Sequence, residues 1–127
     1  DWRKKDGLTF VLQPQSAGNV LRRWLCEEGF EILRETPVRD GSFLYTVMEV
    51  RQGTPQPLTP GTEYASPALL ASGSELVGPY LSRVENALAA TVEGLTNAEK
   101  QRPERLSYFS QALREIQEMR EKHGKNP

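Results

Sequence analysis

The residues best placed to do chemistry are Gln13, Pro14 and Gln15, which end a short apolar run, Leu8-Thr9-Phe10-Val11-Leu12. Ligands of open α/β sheets bind beyond the carboxyl ends of strands. An amide at that place offers both a donor and an acceptor with which to hold the polar edge of a ligand. The same residues also read as an ordinary strand-ending turn, because Pro cannot donate to a sheet ladder.

A second group is cationic. Arg22 and Arg23 are expected on the exposed face of a helix, and Arg102, Arg105 and Arg114 are spread over a later helical stretch with Lys100, Arg120, Lys122 and Lys125. Clustered cations suffice to contact phosphates. The plain alternative is a solvated outer face laced with Glu–Arg pairs.

Other chemistries lack their residues. Cys26 is the only cysteine and His123 the only histidine, which excludes an intrachain disulfide, a Cys–His pair in motif reach and a Cys/His metal cluster. Glu27 and Glu28 are adjacent on a helix and do not face each other, so they are no carboxylate dyad. Cys26 beside them reads as inert. Trp24 and Tyr45 read as core.

These residues need elements to hold them. The run Leu8–Leu12 suits a strand buried on both faces of a parallel sheet. A helix is expected from about Ala17 to Glu28, with Ser16 as its cap and Gly29 at the left-handed C′ place. Ala17, Val20, Leu21, Trp24 and Leu25 would form its apolar face, with Arg22, Arg23 and Glu27 opposite. Two strand-like runs, Phe30–Arg39 and Ser42–Arg51, flank Asp40-Gly41, a dipeptide suited to a two-residue type I′ turn. Phe43, Tyr45 and Val47 alternate with Leu44, Thr46 and Met48, so this last strand is apolar on both faces and expected to be interior.

Residues 52–67 carry four of the nine prolines and read as a linker or long surface loop. A short helical turn is expected around Pro67–Ala71. Two long helices follow, from about Ser74 to Gly94 and from about Pro103 to His123. Val77, Leu81, Val84, Leu88, Val92 and Leu95 make one stripe, and Leu106, Phe109, Leu113, Ile116 and Met119 the other. Narrow stripes joined by a short polar break predict an antiparallel helical hairpin. Gly124-Lys125-Asn126-Pro127 reads as a frayed tail.

Composition agrees with a small sheet plus a solvated element: of 127 residues, 37% are hydrophobic and 26% charged. The net charge of −1 makes the chain no general magnet for nucleic acid. Its distribution is uneven, with a basic excess at both ends and an acidic middle. No apolar run approaches the roughly 18 residues of a membrane span. The absence of a disulfide fits a reducing cytoplasm. A chain opening on Asp1 rather than Met suggests part of a longer protein.

Strand, crossover helix and β-hairpin, in that order, fit the C-terminal half of a class I methyltransferase sheet, with the last strand antiparallel between the other two. Other α/β folds can use the same elements. A cofactor half would need a glycine-rich turn between strand and helix, and no G-x-G-x-x-G follows a strand here.

The wording of the chain carries this further. LTFVLQPQ followed by NVLRRWLCEEGFEIL resembles the bacterial TrmK tRNA methyltransferases, whose members have a strand ending L-Q-P-N, a helix with L-R-x-W-L, and then G-(F/W)-x-I. The matching positions are Leu12, Gln13, Pro14, Leu21, Arg22, Trp24, Leu25, Gly29, Phe30 and Ile32, with Gly41 and Tyr45 in the hairpin, Pro67, Leu69 and Leu70 after it, and Tyr80-Leu81 opening the helical hairpin. Gln15 stands where the family usually has Asn, and Ser66 where it has Gly.

The resemblance implies a cytoplasmic, SAM-dependent methylation at N1 of adenine 22 of tRNA. It implies an α/β, Rossmann-like fragment divided into residues 1–51 of the methyltransferase domain, a linker at 52–73 and a helical hairpin at 74–127. Gln13, Pro14 and Gln15 would then form the loop facing the substrate base, and Arg22, Arg23, Arg102, Arg105 and Arg114 would touch tRNA. S-adenosyl-L-methionine would bind a missing N-terminal half and not this fragment, which alone would be inactive. A homodimer through the strand edge or the hairpin is a further expected partner, and no membrane is. The rival reading is a non-catalytic protein- or RNA-interaction module built on the helical hairpin.

Overall fold

A computed structural model of the chain describes residues 7–14 and 18–125. The expected Ser16 cap, Gln15, and the last two residues of the expected tail lie outside them. Three strands, β1 (Thr9–Leu12), β2 (Phe30–Asp40) and β3 (Phe43–Gln52), form one sheet in the order β1-β3-β2. β3 pairs antiparallel with both neighbours, so it is the interior strand, as its two apolar faces predict.

The expectation for Leu8–Leu12 is corrected in one respect. β1 is an edge strand whose residues alternate between exposed and half-buried, and Val11 is 71% exposed. It runs parallel to β2 but is separated from it by β3, so it has one neighbour and one covered face. Phe10 and Leu12 point to that covered face, opposite Val50 and Met48. β2 is the other edge, which is why Pro37, lacking an N–H, is tolerated opposite Thr46. The β-turn is also displaced by one residue. Asp40 pairs with Phe43, so the two turn residues are Gly41, at φ 60°, and Ser42, not Asp40-Gly41.

α1 (Gly18–Glu27) crosses the covered face and stops at Gly29, whose φ of 78° is the expected left-handed helix end. Leu25, Phe30, Met48 and Val50 form the sheet core, with Phe10, Leu12, Leu21 and Ile32 against it. Each such side chain, once fully buried, contributes about 1.5–3 kcal/mol. Trp24 lies at the margin of this core, 37% exposed and stacked on Phe30. Tyr45 is half-buried.

The second core belongs to the helical hairpin. α3 (Val77–Thr96) and α4 (Pro103–Lys125) lie close to their expected bounds and bury Val77, Leu81, Leu88, Ala112 and Ile116. The proline-rich segment before them is packed rather than free. Its short helix α2 (Pro67–Leu70) gives Leu69 to the hairpin core, together with the preceding Ala65. The loop at Gly61 presses on α4 so closely that a Cβ there would collide with the Glu115 Cβ. Gly61 N also donates to Glu115 Oε1. Among the described residues, no helix is long and apolar enough to cross a membrane.

Candidate functional site

β1 ends at Leu12, opposite Met48, while β2 and β3 stay paired as far as Asp40 and Phe43. Five residues of β3 therefore overhang the end of β1, a wall of about 16 Å. Gln13, exposed, and Pro14, half-buried, lie at the foot of that wall, where the chain turns into α1. The helical hairpin closes the opposite side. Arg83 on α3 donates to the Ser42 carbonyl at the tip of the wall, at 3.1 Å. Asn19, in the first turn of α1, donates to the Tyr64 hydroxyl at 3.5 Å.

Arg22 corrects the sequence reading. Expected on an exposed face, it is 2% exposed. The buried stripe of α1 is rotated toward Arg22 and Leu25, and Val20 is left 53% exposed. What draws the arginine inward is Glu35 on β2, itself 1% exposed. Arg22 Nε donates to Glu35 Oε1 at 3.1 Å and Nη2 donates to Glu35 Oε2. The remaining donors reach the Glu63 carbonyl at 2.9 Å and the Tyr80 hydroxyl at 3.1 Å. Burial pulls the Arg22 pKa down, but the bonds and charge of Glu35 outweigh it and hold the group above its ordinary value. Ser66, which caps α2, donates to Glu35 Oε1 at 2.6 Å and accepts from Leu69 N at 3.0 Å. A buried charge pair is tolerable when its remaining hydrogen bonds are made, as here.

Arg23 lies beside this network in partial contact with water, its side chain 46% exposed. It pairs with the Glu63 carboxylate at 2.6 Å and donates to the Tyr108 hydroxyl at 3.4 Å. Burial, then the neighbouring Glu63 charge, pushes the Tyr108 phenol up to about 12. Burial likewise raises Tyr64. Asn19, Glu63, Tyr64, Ser66, Tyr80 and Tyr108 thus belong to the site and were not singled out in the sequence, apart from Ser66 as a departure and Tyr80 as a match. Their partners lie far away in the chain, so no local spacing marks them.

Arg102, Arg105 and Arg114 are all exposed. Arg105 stands over the Phe109 ring, 6.0 Å from its centroid, and Phe109 meets Tyr108 edge-on at 5.0 Å. Arg102 and Arg105 sit together at the start of α4. Arg114 lies half a rotation from Arg105 around the helix, so it points the other way.

The tRNA (adenine(22)-N(1))-methyltransferase family, TrmK, matches residues 3–118. The chain belongs to the TrmK family. Solved structures agree on the fold. A Streptococcus agalactiae protein of the NADB-Rossmann superfamily superposes with a TM-score of 0.67 at 24% identity, over 88% of this chain and 47% of its own. The B. subtilis TrmK tRNA methyltransferase gives 0.70 at 14% identity, over 88% and 51%. M. capricolum TrmK, solved with S-adenosyl-homocysteine, gives 0.56 at 15% identity, over 91% and 49%. The chain thus spans about half the length of these relatives. No curated protein matches it.

The described residues do not fit an S-adenosyl-L-methionine pocket of their own. Such a pocket needs a glycine-rich turn between a strand and a helix. The positive-φ glycines, Gly7, Gly29, Gly41 and Gly73, precede β1, end α1, turn the β-hairpin and follow α2. Gly18 does open α1 after a strand, but the space beside it is taken by Arg22 Nη1, 3.3 Å from where a Cβ would be.

Proposed function

We propose that this chain is the C-terminal portion of a cytoplasmic bacterial methyltransferase that transfers a methyl group from S-adenosyl-L-methionine to N1 of an adenine in tRNA, adenine 22 by the family's description. The supporting observation is the placement of Gln13 and Pro14 at the carboxyl end of β1, between the overhanging wall of β2–β3 and the docked helical hairpin. In this reading the loop Gln13, Pro14 and Gln15 faces the target base. N1 of adenine is itself the nucleophile, so the loop's task is to orient it.

Of Arg102, Arg105 and Arg114, the first two form the main grip on the tRNA backbone, and Arg114, on the other side of the helix, a lesser contact. Arg22 is withdrawn from that role by burial, and Arg23 spends its charge on Glu63. The cofactor-binding half pairs along the edge of β1 that faces away from β3. A second copy of the chain is the competing occupant of that edge, and light scattering of the isolated chain distinguishes them, since only self-pairing gives a dimer.

The test is tRNA binding as a function of salt. The chain is expected to bind with a steep salt dependence, and Arg105→Gln to make the log–log slope shallower by about one unit. Absent or salt-insensitive binding would refute the grip. Binding without methyl transfer, when a family cofactor half is supplied in trans, would instead assign the chain as a non-catalytic interaction module.

A further inference from the structure

Two consecutive residues of α1 each hold one helix of the hairpin. Arg22 points inward and donates to the Tyr80 hydroxyl on α3 at 3.1 Å, and that hydroxyl donates onward to the Tyr64 carbonyl at 3.3 Å. Arg23 points outward and donates to the Tyr108 hydroxyl on α4 at 3.4 Å. Both arginines also hold Glu63, Arg22 through its carbonyl and Arg23 through its carboxylate. Glu35 fixes Arg22 to the sheet from beneath. The loop carrying Gln13 and Pro14 enters the same helix only a few residues earlier.

We infer that Arg22 and Arg23 are positioning residues: they set the angle of the helical hairpin to the sheet and so place the hairpin's cations in register with the loop that follows β1. Neither acts by touching tRNA. A guanidinium suits this work because its planar fork offers donors in several fixed directions, and an ammonium would lose them. The hairpin is held to the rest of the chain at three places, by Tyr80 and Tyr108 through these arginines, by Arg83 on the Ser42 carbonyl, and by Glu115 against Gly61 and Thr59. Between Leu88 and Ala112 no residue of the hairpin is buried, and that end carries Lys100, Arg102 and Arg105, all exposed. A small change of angle at the base is therefore magnified where those cations lie. The functional half of this inference rests on the tRNA reading above; the geometric half does not.

The experiment has one arm for each half. Spin labels are placed at the exposed Val20 on α1 and Glu118 on α4, through Val20→Cys and Glu118→Cys in a Cys26→Ser background. The distance distribution is then measured by pulsed electron resonance. A narrow distribution is expected in the parent. Tyr80→Phe combined with Arg23→Gln is expected to shift or broaden it while circular dichroism stays unchanged, since both substitutions keep the packing atoms and remove only the links. An unchanged distribution in that double variant would overturn the inference. The second arm measures tRNA affinity against salt for Arg23→Gln without labels. A positioning role predicts an affinity loss of about tenfold with the slope preserved. A slope reduced by about one unit would make Arg23 a phosphate contact and overturn its part. If the parent chain binds no tRNA, the tRNA reading falls, and the distance arm alone decides this one.

Discussion

Arg22 and Glu35 meet side by side between α1 and β2, two N–H donors on two carboxylate oxygens, with side chains 1% and 0% exposed. No other ion pair among those described is buried on both sides; Arg34–Glu49 and Arg51–Glu31 join β2 to β3 with side chains open to water and contribute little. The burial of this one pair makes its loss asymmetric.

Removing Arg22 alone leaves Glu35 without its main partner inside the protein. Arg22→Met is expected to destabilise the fold by about 3–5 kcal/mol. Adding Glu35→Leu should recover most of that loss, because a buried pair replaced by apolar groups is often neutral. Urea unfolding measures both. Equal destabilisation by the single and the double variant would show that the pair is not what the arginine serves.

Ser66 performs two tasks with one hydroxyl. It caps α2 and donates to Glu35. Ser66→Ala is expected to cost about 1–3 kcal/mol, and to cost less in an Arg22→Met/Glu35→Leu background, where only the cap remains to be lost. A double-mutant cycle reads the difference, and strict additivity would separate the hydroxyl from the buried pair.

Tyr108 makes alkaline stability a test of the Arg23–Glu63 corner. Its phenol is pushed up to about 12 from an ordinary 10.0, by burial first and then by Glu63. The folded chain therefore holds this proton more tightly than the unfolded chain. The associated stability is complete below pH 10.0 and is lost as the pH climbs toward about 12. Phenolate absorbance should lose its latest-titrating tyrosine in Tyr108→Phe, while Tyr64, also raised by burial, still titrates late. Parallel alkaline stability curves for the two proteins would contradict the assignment.

The cations of α4 should not be equivalent toward tRNA. Arg102 and Arg105 lie together at the start of α4, Arg105 over the Phe109 ring, whereas Arg114 faces the other side of the helix. Arg105→Glu is expected to weaken tRNA binding more than Arg114→Glu at the same salt, and nitrocellulose-filter or anisotropy titration compares them. Equal losses would place the RNA across both faces of the hairpin.

S-adenosyl-L-methionine should not bind the chain by itself. The turn between β1 and α1 contains Gln13 and Pro14 where a cofactor turn needs glycine, and Gly18 is occupied by Arg22. Calorimetry with the cofactor should give no heat above dilution; micromolar affinity would require a pocket that these residues do not build.

Much was legible in the sequence wherever the determinant is local. The apolar spacing from Val77 to Leu95 and from Leu106 to Met119 is enough to draw two helices, since each residue's role depends on neighbours three and four places away. Gly29 and Gly41 mark a helix end and a turn because only their own backbone angles are at stake. The two apolar faces of β3 foretold its interior place, since a strand paired on both sides is the one that benefits from them. The family words from Leu12 to Ile32 carried the kinship.

What only the tertiary structure decided is which way Arg22 points. By periodicity alone it belongs with Arg23 on the wet side of α1. It turns inward because Glu35, Glu63 and Tyr80, on three other segments, gather to satisfy its donors, while Ser66 donates to Glu35. A buried charge is stable only when every partner is present, and a list of residues does not show that partners far apart in the chain have been brought to one point.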